Sequence, residues 1–227
     1  MGTSYGSVRF AGAESLLFYL DAKLEESYPG SGDTWYDLSG NARHGIKAGS
    51  QKPEWNSDGY FIFTGGTTGN NYTRFDIPVP NITTGMSFFL TFRSSQSSSR
   101  IARMSSDDFN LTISGNNVYG GAGDSYLDAY AVYNTNGDRN VGWHYLGITF
   151  DNKITKLYYD GIYRSKAVYI WSDQTSITGG SLRLGTRNDT SAEHYIGDIS
   201  AIHLHDRVLS SDEILQNYLR FQSGGHL

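Results

Sequence analysis

The chain has no cysteine, only four prolines and no long apolar run, and each shortage closes off a class of protein. Without cysteine there is no disulfide framework, no thiolate-ligated zinc and no thiol nucleophile. No stretch approaches the roughly 20 apolar residues that span a bilayer as a helix, so no membrane insertion is expected. Lysines and arginines are scattered through a chain of net charge −5 and form no basic run, so nucleic acid is not an expected partner. The first residues, MGTSYGSVRFAGAE, lack a basic segment followed by an apolar one. The expectation is a protein made in a cytosol that reaches the outside by lysis or as part of a particle.

What the chain has in abundance is tyrosine, phenylalanine and glycine: 17, 11 and 27 in 227 residues. Aromatic residues between glycine turns suit pleated, half-buried strands. About a dozen short strand candidates follow one another, among them Ser15–Asp21, Gly85–Arg93, Trp143–Phe150, Ile154–Asp160 and Tyr195–His205. Asp160-Gly161 separates two of them in the manner of a type I′ hairpin turn. Strands at this spacing predict an all-β antiparallel sandwich of two sheets. A domain this long buries roughly 70% of its unfolded surface and needs no metal or disulfide to hold it. No linker or repeat divides it. Residues 1–14, rich in Gly and Ser, read as an N-terminal arm, and 15–227 as one domain.

The last segment differs from the rest. Ser210 and Glu213 form an S-x-x-E capping box, and Leu209 and Ile214 stand where a hydrophobic staple would fix the entry of a helix. Ile214, Leu215, Tyr218 and Leu219 form an apolar stripe along it. A short C-terminal helix packed on a β body is the prediction.

Several phrases then carry a family resemblance. LFYLDAKLEESYPGSGDTWYDLSGNARHG (17–45), YFIFTGG (60–66), WHYLGITFD (143–151), LYYDG (157–161), LRLG (182–185) and GDIS before the capped helix follow one another in that order. The order resembles the LamG-like, concanavalin A-like jelly roll over nearly the whole chain. YPGSG, W-x-DLSGN and the closing S-x-x-EILQNY look most like copies found in tailed-phage structural proteins. The resemblance implies a non-enzymatic virion component, a decoration, fibre or accessory protein that docks to other virion proteins as a homo-oligomer and adheres weakly to host glycans. The alternative it leaves open is a stand-alone carbohydrate-binding lectin or adhesin.

Catalytic chemistry has little to stand on. Glycosidases need two carboxylates flanking one bond, and no E-x-D-x-x-E pattern occurs. Glu25-Glu26 and Asp107-Asp108 are adjacent pairs whose side chains point to opposite faces of an extended chain. No G-x-S-x-G elbow is present. Calcium is the one cofactor the resemblance brings in, since LamG-like domains often bind it near a sheet rim. Asp37 and Asn41 in the DLSGN loop, with Asn71, are the candidate ligands. The other reading of the loop is a turn capped by its own side chains. Asn71 and Ser200 stand where relatives carry Asp.

Sugar rings stack on exposed aromatics, so Trp55, Tyr119, Tyr126, Tyr130 and Trp171 are the candidate ligand-binding residues. Trp35 and Trp143 lie within family phrases and read as core. His203 and His205 share one face of a strand, opposite the core-facing Ile202 and Leu204. A partner interface or solvent is expected over them rather than a metal.

Overall fold

A computed structural model describes residues 11–49, 51–65, 73–94, 98–106, 108–122, 130–168, 175–186 and 194–223. In chain order the strands are β1 (Leu16–Asp21), β2 (Thr34–Trp35), β3 (Gly45–Ala48), β4 (Glu54–Asn56), β5 (Tyr60–Phe63), β6 (Arg74–Val79), β7 (Met86–Arg93) and β8 (Ser98–Met104). Then come β9 (Phe109–Ser114), β10 (Asn117–Ala122), β11 (Ala131–Asn134), β12 (His144–Asp151), β13 (Ile154–Tyr159), β14 (Ile162–Val168), β15 (Gly180–Leu184) and β16 (Gly197–His205). One helix, α1 (Ser211–Gln222), follows β16.

The strands form two antiparallel sheets. The first runs β14-β13-β12-β7-β16-β5-β4, with β1 also bonded to β16. The second runs β11-β10-β9-β8-β15-β6-β3-β2. This is the two-sheet sandwich expected from the alternating strands. Side chains of both inner faces fill the main core, where Trp35, Phe61, Phe75, Phe88, Leu111 and Leu184 are fully or almost fully buried. The Asp160-Gly161 turn joins β13 to β14 with φ of 53° and 72°, the left-handed pair that a type I′ turn requires.

Strands β7 (MSFFLTFR) and β12 (HYLGITFD) are buried on both faces for almost their whole length. Neither alternates, because the first sheet is covered twice. Its inner face meets the second sheet, and its outer face meets a second core of Tyr19, Phe89, Tyr145, Tyr158, Leu209 and Ile214 beneath α1. Gly147 makes room for this layer: a Cβ there would lie 2.2 Å from the Phe89 ring. The space lets Phe89 stack on Tyr145, ring centres 5.0 Å apart, and on His203 at 5.5 Å.

The helix starts as the sequence says. The Ser210 hydroxyl accepts from Glu213 N, and Glu213 accepts from Ser210 N at 2.8 Å. Leu209 and Ile214 are both buried in the second core. Only half of the predicted stripe is buried, however. Ile214 and Tyr218 turn inward as expected, while Leu215 and Leu219 are exposed and Asn217 and Phe221 take the remaining inward positions. A polar residue takes an inward position because Asn217 has a backbone to bond: its amide accepts from Ala11 N at 3.1 Å and donates to Ala11 O. Residues 11–14 are therefore part of the body, not an arm. Gly12 O caps the turn at Ser15, and Glu14 pairs with Arg207. Residues 1–10 lie outside the described residues.

Candidate functional site

Strands of the second sheet alternate, and the residues that do not enter the core project to its outer face. On β15, Leu182 and Leu184 are core while Arg183 faces out. Register then brings distant segments into line: Asp76 is paired with Arg183, Arg183 with Arg103, Arg103 with Asn110, and Asn110 with Gly121. A neighbouring row runs Arg100, Thr112, Tyr119, Val132.

Side-chain bonds tie the rows together. Asn110 is buried and accepts from Arg100 Nη1 and from Thr112 Oγ1, both at 3.2 Å, and it donates to Tyr130 Oη at 2.9 Å. Tyr119 meets Tyr130 edge-on, 6.4 Å between ring centres, and its hydroxyl accepts from Asn117. Both tyrosines are half-buried. Arg74 grips Asp76 through Nε and Nη2 at 3.1 and 3.0 Å. Among the described residues, these two rows thus carry four arginines, one paired carboxylate, an amide and two tyrosines standing edge to face.

Of the candidate ligand-binding aromatics, Tyr119 and Tyr130 come together here. Trp55 does not join them. It lies on β4, at the edge of the other sheet, where it packs on the core and spends its indole N–H on Ala22 O at 3.0 Å. Its ring covers the turn at Gly30 and approaches Tyr28 at 5.7 Å. Trp55 is half-buried and helps to hold the Gly30 turn. Tyr126 and Trp171 lie outside the described residues.

The DLSGN loop is a closed turn. Asp37 Oδ1 accepts from Tyr19 N and Ser39 N, and Oδ2 accepts from Ser39 Oγ and Arg43 N. Those four donors use up the carboxylate's acceptor directions. Asn41 points its NH2 at Leu16 O and Leu17 O. A hard cation needs free oxygens, so this donor set does not fit calcium. Asn71 lies outside the described residues.

His203 and His205 do face away from the main core, as expected, but neither solvent nor a partner covers them. Both are fully buried under α1 and residues 11–15. Tyr145 Oη lies 2.7 Å from His203 Nε2, His203 Nδ1 lies 3.0 Å from His205 Nε2, and His205 Nδ1 lies 3.1 Å from Gly12 O. Ser15 Oγ also lies 3.1 Å from Nδ1 but gives its own proton to Gly12 O, and a carbonyl only accepts, so His205 Nδ1 carries a proton. The rest follows: His203 donates to His205, and Tyr145 donates to His203. One line of donors satisfies both rings in the neutral form. Burial holds both histidines below the ordinary range, His205 at about 4.

His144 is the opposite case. Nδ1 faces Asp160 Oδ2 at 2.9 Å and Nε2 faces Asp138 O at 3.0 Å. Burial is the largest single influence and opposes its charge, but the bonds and charges of Asp160 and Asp138 together outweigh it, and its pKa is raised. The Asp138, His144 and Asp160 side chains are close enough to share an ion. Both ring nitrogens are already bonded, so the trio reads as a clamp on the β13–β14 turn. Trp143, expected in the core, is only half-buried; it lies against Tyr60 and the Arg93 guanidinium. Trp35 is fully buried.

Sequence reasoning missed the arginines. Their signal was local and present: charge alternates with apolar residues in RFDI (74–77) and LRL (182–184). What it lacked was the order in which β6, β15 and β8 lie side by side.

Comparison with known proteins agrees with this architecture. The family model for concanavalin A-like lectins and glucanases, Laminin_G_3, matches residues 64–215. A search of curated proteins finds no match. Among solved structures, the chain is similar to the binding domain of botulinum neurotoxin DC in complex with rat synaptotagmin II, at TM-score 0.70 and 11% identity over 93% of this chain and 52% of that one. It is similar to the same binding domain in complex with SialylT, at 0.68 and 12% over 92% and 52%. A third structure concerns botulinum neurotoxin type C, whose cell entry depends on two ganglioside molecules, at 0.69 and 12% over 93% and 52%. This chain spans about half the length of each, and at such identity the likeness concerns fold alone. Two stacked sheets, the order of the sequence phrases and the family match lead to one conclusion: the chain belongs to the concanavalin A-like lectin/glucanase superfamily.

Proposed function

We propose that the chain is a non-enzymatic recognition module that binds carbohydrate on a cell surface and is carried on a phage particle. The outer face of the second sheet carries the reading. It offers fixed donors and acceptors beside two tyrosine rings, the combination that holds the hydroxyls and the apolar face of a sugar. Retaining glycosidases need two carboxylates about 5 Å apart. In the two rows, among the described residues, Asp76 is the one carboxylate, and Arg74 holds it. That supports binding without hydrolysis. The neurotoxin binding domains of similar fold, in complex with SialylT or with rat synaptotagmin II, support a role in recognition. The particle setting, with docking to other virion proteins as a homo-oligomer, rests on the phage-like phrases YPGSG, W-x-DLSGN and EILQNY.

A glycan array with the purified protein tests the binding. Selective binding that Tyr119→Ala weakens about tenfold is expected; a clean negative overturns it. Immunogold labelling of density-purified particles tests the setting, and unlabelled particles would remove it.

A further inference from the structure

The outer face of the first sheet continues past the second core. On β12 and β7 that core includes Tyr145 and Phe89. Trp143 and Arg93 project to the same face farther along, and neither is buried. Register lines up a row there. His144 is paired with Phe92, which sets Trp143 beside Arg93; Arg93 is paired with Asp198, and Asp198 with Ile62. Tyr60, two residues from Ile62, shares the face. Strands β7 and β16 lie between Tyr60 and Trp143, so their backbones stand about 14 Å apart at ordinary strand spacing. Their rings nevertheless come within 5.4 Å, edge to face. They bracket the Arg93 guanidinium, which lies 4.9 Å from the Tyr60 ring centre and 5.0 Å from that of Trp143. Arg93 Nε donates to Asp198 Oδ2 at 2.6 Å. The Arg93 side chain keeps 41% of its surface in water, and both rings are half-buried. An ion pair this open adds little to stability, and rings held partly in water contribute less than rings in a core.

We propose that Tyr60, Arg93, Trp143 and Asp198 form a second saccharide site, one for a neutral sugar, with the apolar side of a pyranose on the Trp143 ring and two neighbouring hydroxyls shared between Arg93 and Asp198. The inference rests on the carbohydrate-binding reading, and the site is separate from the face that carries Tyr119 and Tyr130. A hydroxyl both donates and accepts. A pair of adjacent hydroxyls therefore matches a fixed donor beside a fixed acceptor. Asp198 takes the Nε proton of Arg93 and fixes the plane of the guanidinium, which leaves Nη donors for a ligand. The carboxylate supplies the acceptor. Arg93 and Asp198 balance each other's charge, so an anion meets repulsion from one as well as attraction from the other. A neutral polyol meets neither. The aromatic ring gives the apolar side of the sugar a surface to cover. Rings and guanidinium are already in place, so little ordering is lost on binding.

The test is an NMR titration of the full nitrogen-15-labelled chain. Its four tryptophans give indole N–H signals, and the one absent from Trp143→Phe reports on this site. The probes are maltohexaose, cellohexaose, chitohexaose and mannohexaose, with sialyllactose as the acidic contrast. The expected result is a saturable shift of the Trp143 signal with at least one neutral hexasaccharide, while the signal of the buried Trp35 stays in place. Arg93→Gln and Asp198→Asn should each weaken that titration about tenfold. Lys166→Gln on β14 should leave it unchanged. Thermal unfolding shows that each variant is folded, and Asp198→Asn keeps the shape of the side chain if Arg93→Gln does not fold. A Trp143 shift that neither substitution weakens overturns the site. Tighter binding of sialyllactose than of any neutral probe overturns the neutral class. A Trp143 signal unmoved by all the neutral probes overturns the inference. A positive glycan array would then leave the carbohydrate reading to the second sheet, and a negative one would remove that reading as well.

Discussion

On the outer face of the first sheet, Phe89, Tyr145 and His203 stack under a helix. On the outer face of the second, Arg103 confronts Arg183 across two strands. Both faces are made by the same alternation of in and out along antiparallel strands. One has been filled with aromatic rings and closed by α1. The other holds polar side chains that bond among themselves: Asn110 links Arg100, Thr112 and Tyr130, and Arg74 holds Asp76. Aromatic packing under a helix builds the first face, and side-chain hydrogen bonds along the strands build the second.

The largest effect should come from the closed face. Phe89→Ala removes the ring between Tyr145 and His203 and should cost about 3–5 kcal/mol, read as a fall in the urea midpoint. A loss under 1 kcal/mol would mean that the second core is not load-carrying. Next is acid. His205 is neutral when folded down to about pH 4 because it is buried, and His203 is held low for the same reason. The unfolded chain takes up their protons near pH 6.5. Unfolded therefore binds more protons than folded in between, and stability falls as pH drops from about 6.5 to about 4. For His205 the loss is about 3 kcal/mol. His144, with its raised pKa, works in the other direction, and Glu213, held at about 2 by Arg207, acts below pH 4.5. Urea midpoints at pH 7 and 4.5 should differ less in His205→Gln than in the parent; an equal difference would break the assignment.

Ser210→Ala removes one half of the capping box and should cost about 1 kcal/mol, measured by thermal melting. Arg183→Gln on the second sheet should change stability by less than about 0.5 kcal/mol, since the half-buried Arg183 stands between a like charge at Arg103 and an opposite one at Asp76. A clear destabilisation would show that Arg183 serves the fold after all. EDTA should leave the melting temperature unchanged, because the Asp37 carboxylate is already saturated by its own loop. A drop on chelation would reopen calcium.

Local chemistry was legible in the sequence, and neighbour relations were not. The capping box, the Asp160-Gly161 turn and the alternating strands each depend on residues within a few positions, and the structure has them. The helix face was misread at Leu215 and Leu219, because Asn217 is buried for a bond to Ala11, about 200 positions away. His203 and His205 were placed on the right face, but the lid over them depends on where α1 folds back. Trp55 looked exposed in a polar loop until its indole found Ala22. The arginine row required the order β6-β15-β8, which joins segments some 80 to 110 positions apart.

Strand β16 sits in the middle of the first sheet, bonded to β7 on one side and to β1 and β5 on the other. It is also the last of these strands to leave the ribosome. Until residue 205 has emerged, the two halves of that sheet have no common neighbour, and the edges of β5 and β7 stay open to pairing with other chains. The sandwich therefore cannot close progressively during synthesis. It closes in one late step, when β16 enters and α1 covers it. A chain interrupted anywhere upstream should yield not a smaller stable domain but an aggregating half.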